Sequence, residues 1–239
     1  MAEPDRPRRI AIVAAMVPEL QPIVRALRLQ PMPLGGARAH TGRLGEREIV
    51  AAVTSMGTRA ATDVTDRLLE RFPVDHVVVV GICGGIDRRR AIGDLITPEI
   101  VIDEASGTSH RPTPLRSAKP AGVLMTTDVL HNDPAEMAAF VARGIVAVDM
   151  ETAAIGAVSE ARGIPWSVFR AISDWAGDPD VDAEVMGMSH PDGTPNPRGI
   201  LRLLLRHPLR IPKLAKLGAG MRAAVERSTS AALSALSEI

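Results

Sequence analysis

HVVVVG, residues 76–81, is the run on which the fold turns. Four successive valines without polar alternation describe a strand covered on both faces, the signature of a parallel α/β sheet. The run leads into Gly81-Ile-Cys-Gly-Gly85, where a sharp turn out of the strand is predicted. Upstream, Ile10–Ala15 is a second continuous apolar run. Pro18 and Glu19 follow it, a proline and a carboxylate suited to the first turn of a helix. Ile49–Val53 precedes a helix predicted over 58–72, with Ala61, Val64, Leu68 and Phe72 on one face. Downstream, 95–102, 122–126, 145–148 and 166–172 read as strands and 152–162 as a helix. This alternation predicts one domain over 1–239: a three-layer α/β sandwich whose mostly parallel or mixed sheet is flanked by helices.

Composition removes several classes of function. Lys and Arg total 28 and Asp and Glu total 28, so no net charge draws the chain to nucleic acid. Aromatic residues are 2% of the chain, too few for a base-stacking surface. Cys83 is the single cysteine, and the six histidines are scattered, so neither a disulfide framework nor a metal site is expected. No cofactor is called for. Residues 1–9 are short and polar with no leader pattern, and no run of 18 uncharged apolar residues exists, so a cytoplasmic enzyme is expected.

Two stretches read as irregular, 105–119 and 174–197, and either could form a lid. From Gly193 to Val225 the chain has seven basic residues and no acidic one, with Arg198, Arg202, Arg206 and Arg210 spaced by four among leucines. The region 193–239 therefore reads as a basic amphipathic helical tail, interrupted at Pro208 and Pro212. A solvated helix face and contact with a membrane surface or anionic partner are both consistent with it.

Three carboxylates fall where ligands bind in open α/β sheets, beyond the carboxyl ends of strands: Glu19, Glu151 and Asp174. Singly, each could serve as a helix-end charge or a turn former. Gathered around one crevice they would suit general acid–base chemistry, because unequal surroundings push their pKa values apart. The Gly81–Gly85 stretch lets backbone approach a ligand but matches neither GxGxxG nor a P-loop.

IAIVAAMVPEL (10–20), VVVVGICGGI (77–86), VAVDMETAAI (146–155) and FRAISDWAGD (169–178) resemble, in order, four blocks of the nucleoside phosphorylase/nucleosidase superfamily. The Ala15, Met16, Glu19 start is similar to that of the 5′-methylthioadenosine/S-adenosylhomocysteine nucleosidases. The resemblance implies a purine nucleoside substrate and a homodimer. Asp174 would protonate the leaving base and Ser173 would orient Asp174. Glu151 would bind the ribose hydroxyls, with Met150 beneath the sugar. Glu19 would activate water, with Arg170 beside it. Met16, Gly84, Val129 and Leu130 would complete the substrate site.

Water or phosphate could attack the sugar. Phosphorylases of the superfamily carry an early arginine-containing phosphate loop and anion-binding residues near the glycine turn. Here AMVPEL follows the first strand, and Val79 and Ile82 offer no anion ligand. Both features favour water.

Three departures from the nucleosidase pattern stand out: Ile82 where a Ser is usual, Leu130 where an aromatic stacks on the base, and Asp149 where a Glu is usual. MGMSHPDG (186–193) and LRLLLRHPLRIPKL (201–214) are similar to the tail of hopanoid-associated phosphorylases, which implies an adenosyl-linked lipid as an alternative substrate. A nucleoside-binding sensor without turnover is the non-enzyme alternative.

Overall fold

A computed structural model of the chain describes residues 8–115, 119–120, 122–131, 133–178 and 183–239. The elements run β1 (Arg9–Ala14), α1 (Val17–Ala26), β2 (Gln30–Leu34), β3 (Ala37–Leu44), β4 (Arg47–Val53), α2 (Thr58–Arg71), β5 (His76–Gly85) and β6 (Leu95–Ile96). They continue with β7 (Ile100–Asp103), β8 (Ser109–His110), β9 (Val123–Thr126), α3 (Pro134–Ala142), β10 (Ile145–Asp149), α4 (Thr152–Ala161) and β11 (Trp166–Trp175). Three helices close the chain: α5 (Ala183–Met186), α6 (Pro197–Arg206) and, after a 3-10 turn at Pro208–Arg210, α7 (Ile211–Ala235).

One mixed sheet runs β2-β3-β4-β1-β5-β10-β9-β7-β8, with β11 paired to β5 and to β6. Its centre is parallel: β1 lies between β4 and β5, and β11 follows β5 from Val77 to Gly85. Antiparallel pairs include the β2–β3–β4 meander at one edge and, within the sheet, β10 against β5. Alternating valines explain the three layers. Val77 and Val79 belong to a cluster with Ala61, Val64 and Leu68 of α2 and Ile155 of α4. Val78 and Val80 face the other way, clustering with Leu20 and Ile23 of α1 and Ala232 of α7. All four valines are 0% exposed, and each such burial stabilises the fold by roughly 1.5–3 kcal/mol.

Three sequence readings need correction. The strand predicted over 95–102 is two strands, β6 and β7, split at Thr97–Glu99 where Pro98 cannot donate to a ladder. The glycines after HVVVVG stay within β5. Gly84 and Gly85 pair with Val148 and Ala147 of β10 on one side and with Asp174 and Trp175 of β11 on the other. That crowding is why they lack side chains: a Cβ on Gly85 would sit 2.8 Å from the Trp175 ring. Finally, β11 runs three residues past Ile172, so Asp174 lies inside a strand rather than beyond it. Of the two irregular stretches, 116–118 and 179–182 lie outside the described residues, as do residues 1–7 of the amino terminus.

Candidate active site

The first carboxylate is set by a helix start. Glu19 is the third residue of α1 and reaches back so that its Oε2 accepts from Met16 N–H at 2.7 Å. Its Oε1 accepts from Ile82 N–H of β5 at 2.8 Å, which ties α1 to the glycine-rich stretch. Gly81 makes this approach feasible. Its φ is +154°, and a Cβ there would fall on Glu19 Oε1 and Arg170 Nη1.

Arg170 of β11 is 1% exposed and organises the acidic groups around it. Its Nη2 lies 2.8 Å from Asp149 Oδ2 and 3.1 Å from Glu151 Oε2, and its Nη1 lies 3.6 Å from Glu19 Oε1. The remaining donors reach Ile82 C=O at 3.2 Å and Thr152 Oγ1 at 3.1 Å. Glu151 Oε1 accepts in turn from Gly57 N–H at 3.1 Å. Three buried carboxylates thus share one guanidinium. Burial raises the Glu19 carboxyl, against the pull of Arg170. It also pushes Glu151 up to about 8, again against Arg170 and with help from the Asp149 and Glu19 charges. Such a cluster holds a proton near neutrality and can take another from a reacting group.

Asp174 stands apart from that cluster. Burial raises its carboxyl, the Ser173 hydroxyl lowers it by hydrogen bonding to Oδ1, and Asp178 adds a smaller upward push. Ser173 Oγ is also 3.3 Å from the Cys83 carbonyl, which fixes the rotamer that faces Asp174. A carboxyl that burial raises therefore lies apart from a carboxylate cluster gathered around a buried arginine, and such contrasting surroundings push pKa values apart.

Between them is a cavity of about 420 Å³. Met16, Glu19, Gly84, Val129, Leu130, Met150, Glu151, Arg170, Ser173 and Asp174 all line it. Val129 and Leu130 are 60% and 45% exposed, so they form an open part of the wall. Asp128, in the same stretch, faces away and accepts from Thr58 N–H at 2.9 Å, capping α2.

Residues given no site role from the sequence also line the cavity. Asp149 is one; it is held by Thr126 Oγ1 at 2.7 Å and by the Thr152 hydroxyl. His131 is another, its two ring nitrogens 2.9 Å from Glu104 and 3.0 Å from Glu136. Burial works against its charge, but these two carboxylates outweigh it and hold its pKa above the ordinary value. Leu214, Leu217 and Met221 bring α7 to the wall, where the apolar spacing of the tail is a usable signal. Among the described residues no cluster of His, Cys, Asp and Glu is arranged to hold a metal ion, and no helix is long and apolar enough to cross a membrane.

Comparison with known proteins agrees with this geometry. The family model described as the phosphorylase superfamily matches residues 9–121 and 111–190. A 5′-methylthioadenosine/S-adenosylhomocysteine nucleosidase of Geobacillus thermodenitrificans is 30% identical over 203 residues, spanning 71% of this chain and 85% of that protein. The Helicobacter pylori enzyme of the same name, solved in complex with a substituted pyrrolidin-3-ol, superposes with a TM-score of 0.74 at 19% identity, covering 98% of this chain and 100% of that one. The Colwellia psychrerythraea nucleosidase, solved with adenine, gives a TM-score of 0.72 at 22% identity over 98% and 96%. A family match running from β1 past β11, on a sheet and cavity of this form, identifies the chain as a member of the phosphorylase superfamily.

Proposed function

We propose that the protein is a purine nucleosidase of the 5′-methylthioadenosine/S-adenosylhomocysteine type, cleaving the N-glycosidic bond with water. Arg170 carries the choice of nucleophile. Its guanidinium is already shared among Asp149, Glu151 and Glu19, so it has no surplus positive charge for phosphate, and the three acids around it repel an anion.

The steps follow from the two acid environments. Asp174 donates its proton to the purine at N7 as the bond from the sugar to the base breaks, so the base leaves neutral. The sugar passes through an oxocarbenium-like state that the acidic cluster stabilises, while Glu151 binds the ribose hydroxyls. Met150 packs beneath the ring. Water, held by Glu19, adds its oxygen to the anomeric carbon and gives its proton to Glu19. Ile82 stands where related enzymes carry a serine, but its backbone N–H holds Glu19 and its carbonyl holds Arg170. A homodimer in the cytoplasm fits this reading.

An apolar, lipid-linked 5′ substituent is the second reading. The Leu214, Leu217 and Met221 wall favours it, and the basic tail would then meet a membrane surface.

The test is chromatography after incubating purified protein with methylthioadenosine, S-adenosylhomocysteine, adenosine and inosine, with and without phosphate. Free base at the same rate in both is expected. Release only with phosphate, giving a sugar 1-phosphate, would overturn the role given to Arg170. Turnover of none of the four would move the lipid-linked nucleoside to the front.

A further inference from the structure

Eight large apolar side chains are exposed among the described residues, and four of them lie within eleven positions. They are Leu201 at 59%, Leu205 at 74%, Leu209 at 91% and Ile211 at 50%. Leaving such a patch in water is unfavourable, and soluble surfaces seldom do so without an occupant. The patch is also ordered along the helix. At 100° per residue, Leu201, Leu205, Arg198 and Arg202 fall within an arc of about 100° on α6, while buried Leu203 lies on the opposite side. Apolar and cationic side chains thus share one outward face. The 3-10 turn at Pro208–Arg210 then holds Leu209 at the apex between α6 and α7.

Charge decides between occupants. Arg198, Arg202, Arg206, Arg210, Lys213, Lys216 and Arg222 are the seven basic residues of 193–225, a stretch with no acid. Glu184 of α5 is close to three groups, at 3.5 Å from Arg206, 3.1 Å from His207 and 3.9 Å from Arg210, and offsets one charge. Arg198, Arg202, Lys216 and Arg222 lie outside this group, so the face keeps a positive charge. A second copy of the same face would bring like charges together, whereas an anionic lipid surface answers both the leucines and the arginines.

We infer that the face formed by Leu201, Leu205, Leu209 and Ile211, edged by Arg198 and Arg202, docks on an anionic lipid bilayer. The face runs directly into the cavity. Ile211, Leu214, Leu217 and Met221 fall on one side of α7, and the last three line the cavity, so apolar surface continues from the docking face to the site. Bilayer contact therefore names the partner behind the second reading of the substrate. It needs no turnover, so its failure and that of the nucleosidase chemistry are read separately.

Flotation of the full chain with vesicles tests it. Vesicles of phosphatidylcholine with one part in about three of phosphatidylglycerol should carry the protein, more weakly as salt rises, and pure phosphatidylcholine should not. A variant carrying Leu205→Asp and Leu209→Asp should lose vesicle partitioning by about tenfold or more and keep its melting temperature, since both side chains stand in water. Absence of flotation with the anionic vesicles, or equal flotation of the variant, would overturn the assignment. So would a variant that changes only the oligomeric state in light scattering, which would make a second copy the occupant.

Discussion

Asp149 Oδ2 lies 2.8 Å from Arg170 Nη2, and the two side chains are 2% and 1% exposed. This buried pair is the hinge of the site's electrostatics, because the same guanidinium also serves Glu151 and Glu19. The Asp149 charge raises both of those carboxyls. Asp149→Asn removes that push and leaves Arg170 more attraction for Glu19. The acid limb of the kcat/KM profile, where Glu19 must lose its proton, should therefore move to lower pH. Turnover at neutral pH should fall by about tenfold to a hundredfold, the usual cost of losing an outer partner of a reacting group. An acid limb in the same place, with activity merely scaled down, would reduce Asp149 to a packing role.

For Asp174, burial without a cationic partner is the deciding fact. Asp174→Asn preserves the shape and an acceptor for Ser173 but cannot give up a proton. Purine release should drop by about two to four orders of magnitude, within the range for a lost general acid. The melting temperature at pH 7 should stay within about 2 °C, because the substitution introduces no buried charge. Unchanged release would remove Asp174 from the mechanism.

Continuous apolar runs made the sheet centre legible. Ile10–Ala15 and the valines of β5 could be buried strands and little else, while Trp166–Ile172 reads as one despite Ser167 and Arg170. The β2–β3 hairpin was not legible, because QPMPL and ARAHTGRL mix prolines, glycine and charge without alternation; their pairing supplies the order. Helix α7 was blurred by Pro212, Gly218 and Gly220. Pro212 falls at its second position, where no hydrogen bond is lost, and Gly220 approaches the backbone of Ser173 too closely for a side chain. At the site, Glu19 and Glu151 declared themselves by their places after strands, and Asp174 by its place near a strand's carboxyl end, inside β11. Asp149 did not, because its meaning depends on Arg170, twenty-one positions away in sequence and 2.8 Å away in space.

Glu151 makes stability depend on pH in a defined direction. Burial raises its carboxyl from an ordinary 4.5 to about 8. Between those values the folded chain holds a proton that the unfolded chain has released, so stability falls as pH rises through that window. Glu151→Gln removes the titration. The drop in melting temperature from pH 5 to pH 8 should shrink in the variant, while nucleosidase activity is lost at every pH. An identical pH slope in variant and parent would show that Glu151 is ionised throughout.

Gly81 joins backbone geometry to the chemistry. A methyl group there meets Glu19 Oε1 and Arg170 Nη1, in a backbone conformation at φ +154° that side chains rarely adopt. Gly81→Ala must push both side chains aside. It should cost about 1–3 kcal/mol in denaturant unfolding and about a hundredfold in turnover. Gly36 separates the two causes, since its φ is +85° and a Cβ there meets nothing within 4 Å. Gly36→Ala should carry only the backbone cost, about 1 kcal/mol, with turnover unchanged. Comparable activity losses in both variants would assign the Gly81 effect to general destabilisation; a loss confined to Gly81 would assign it to displacement of Glu19 and Arg170.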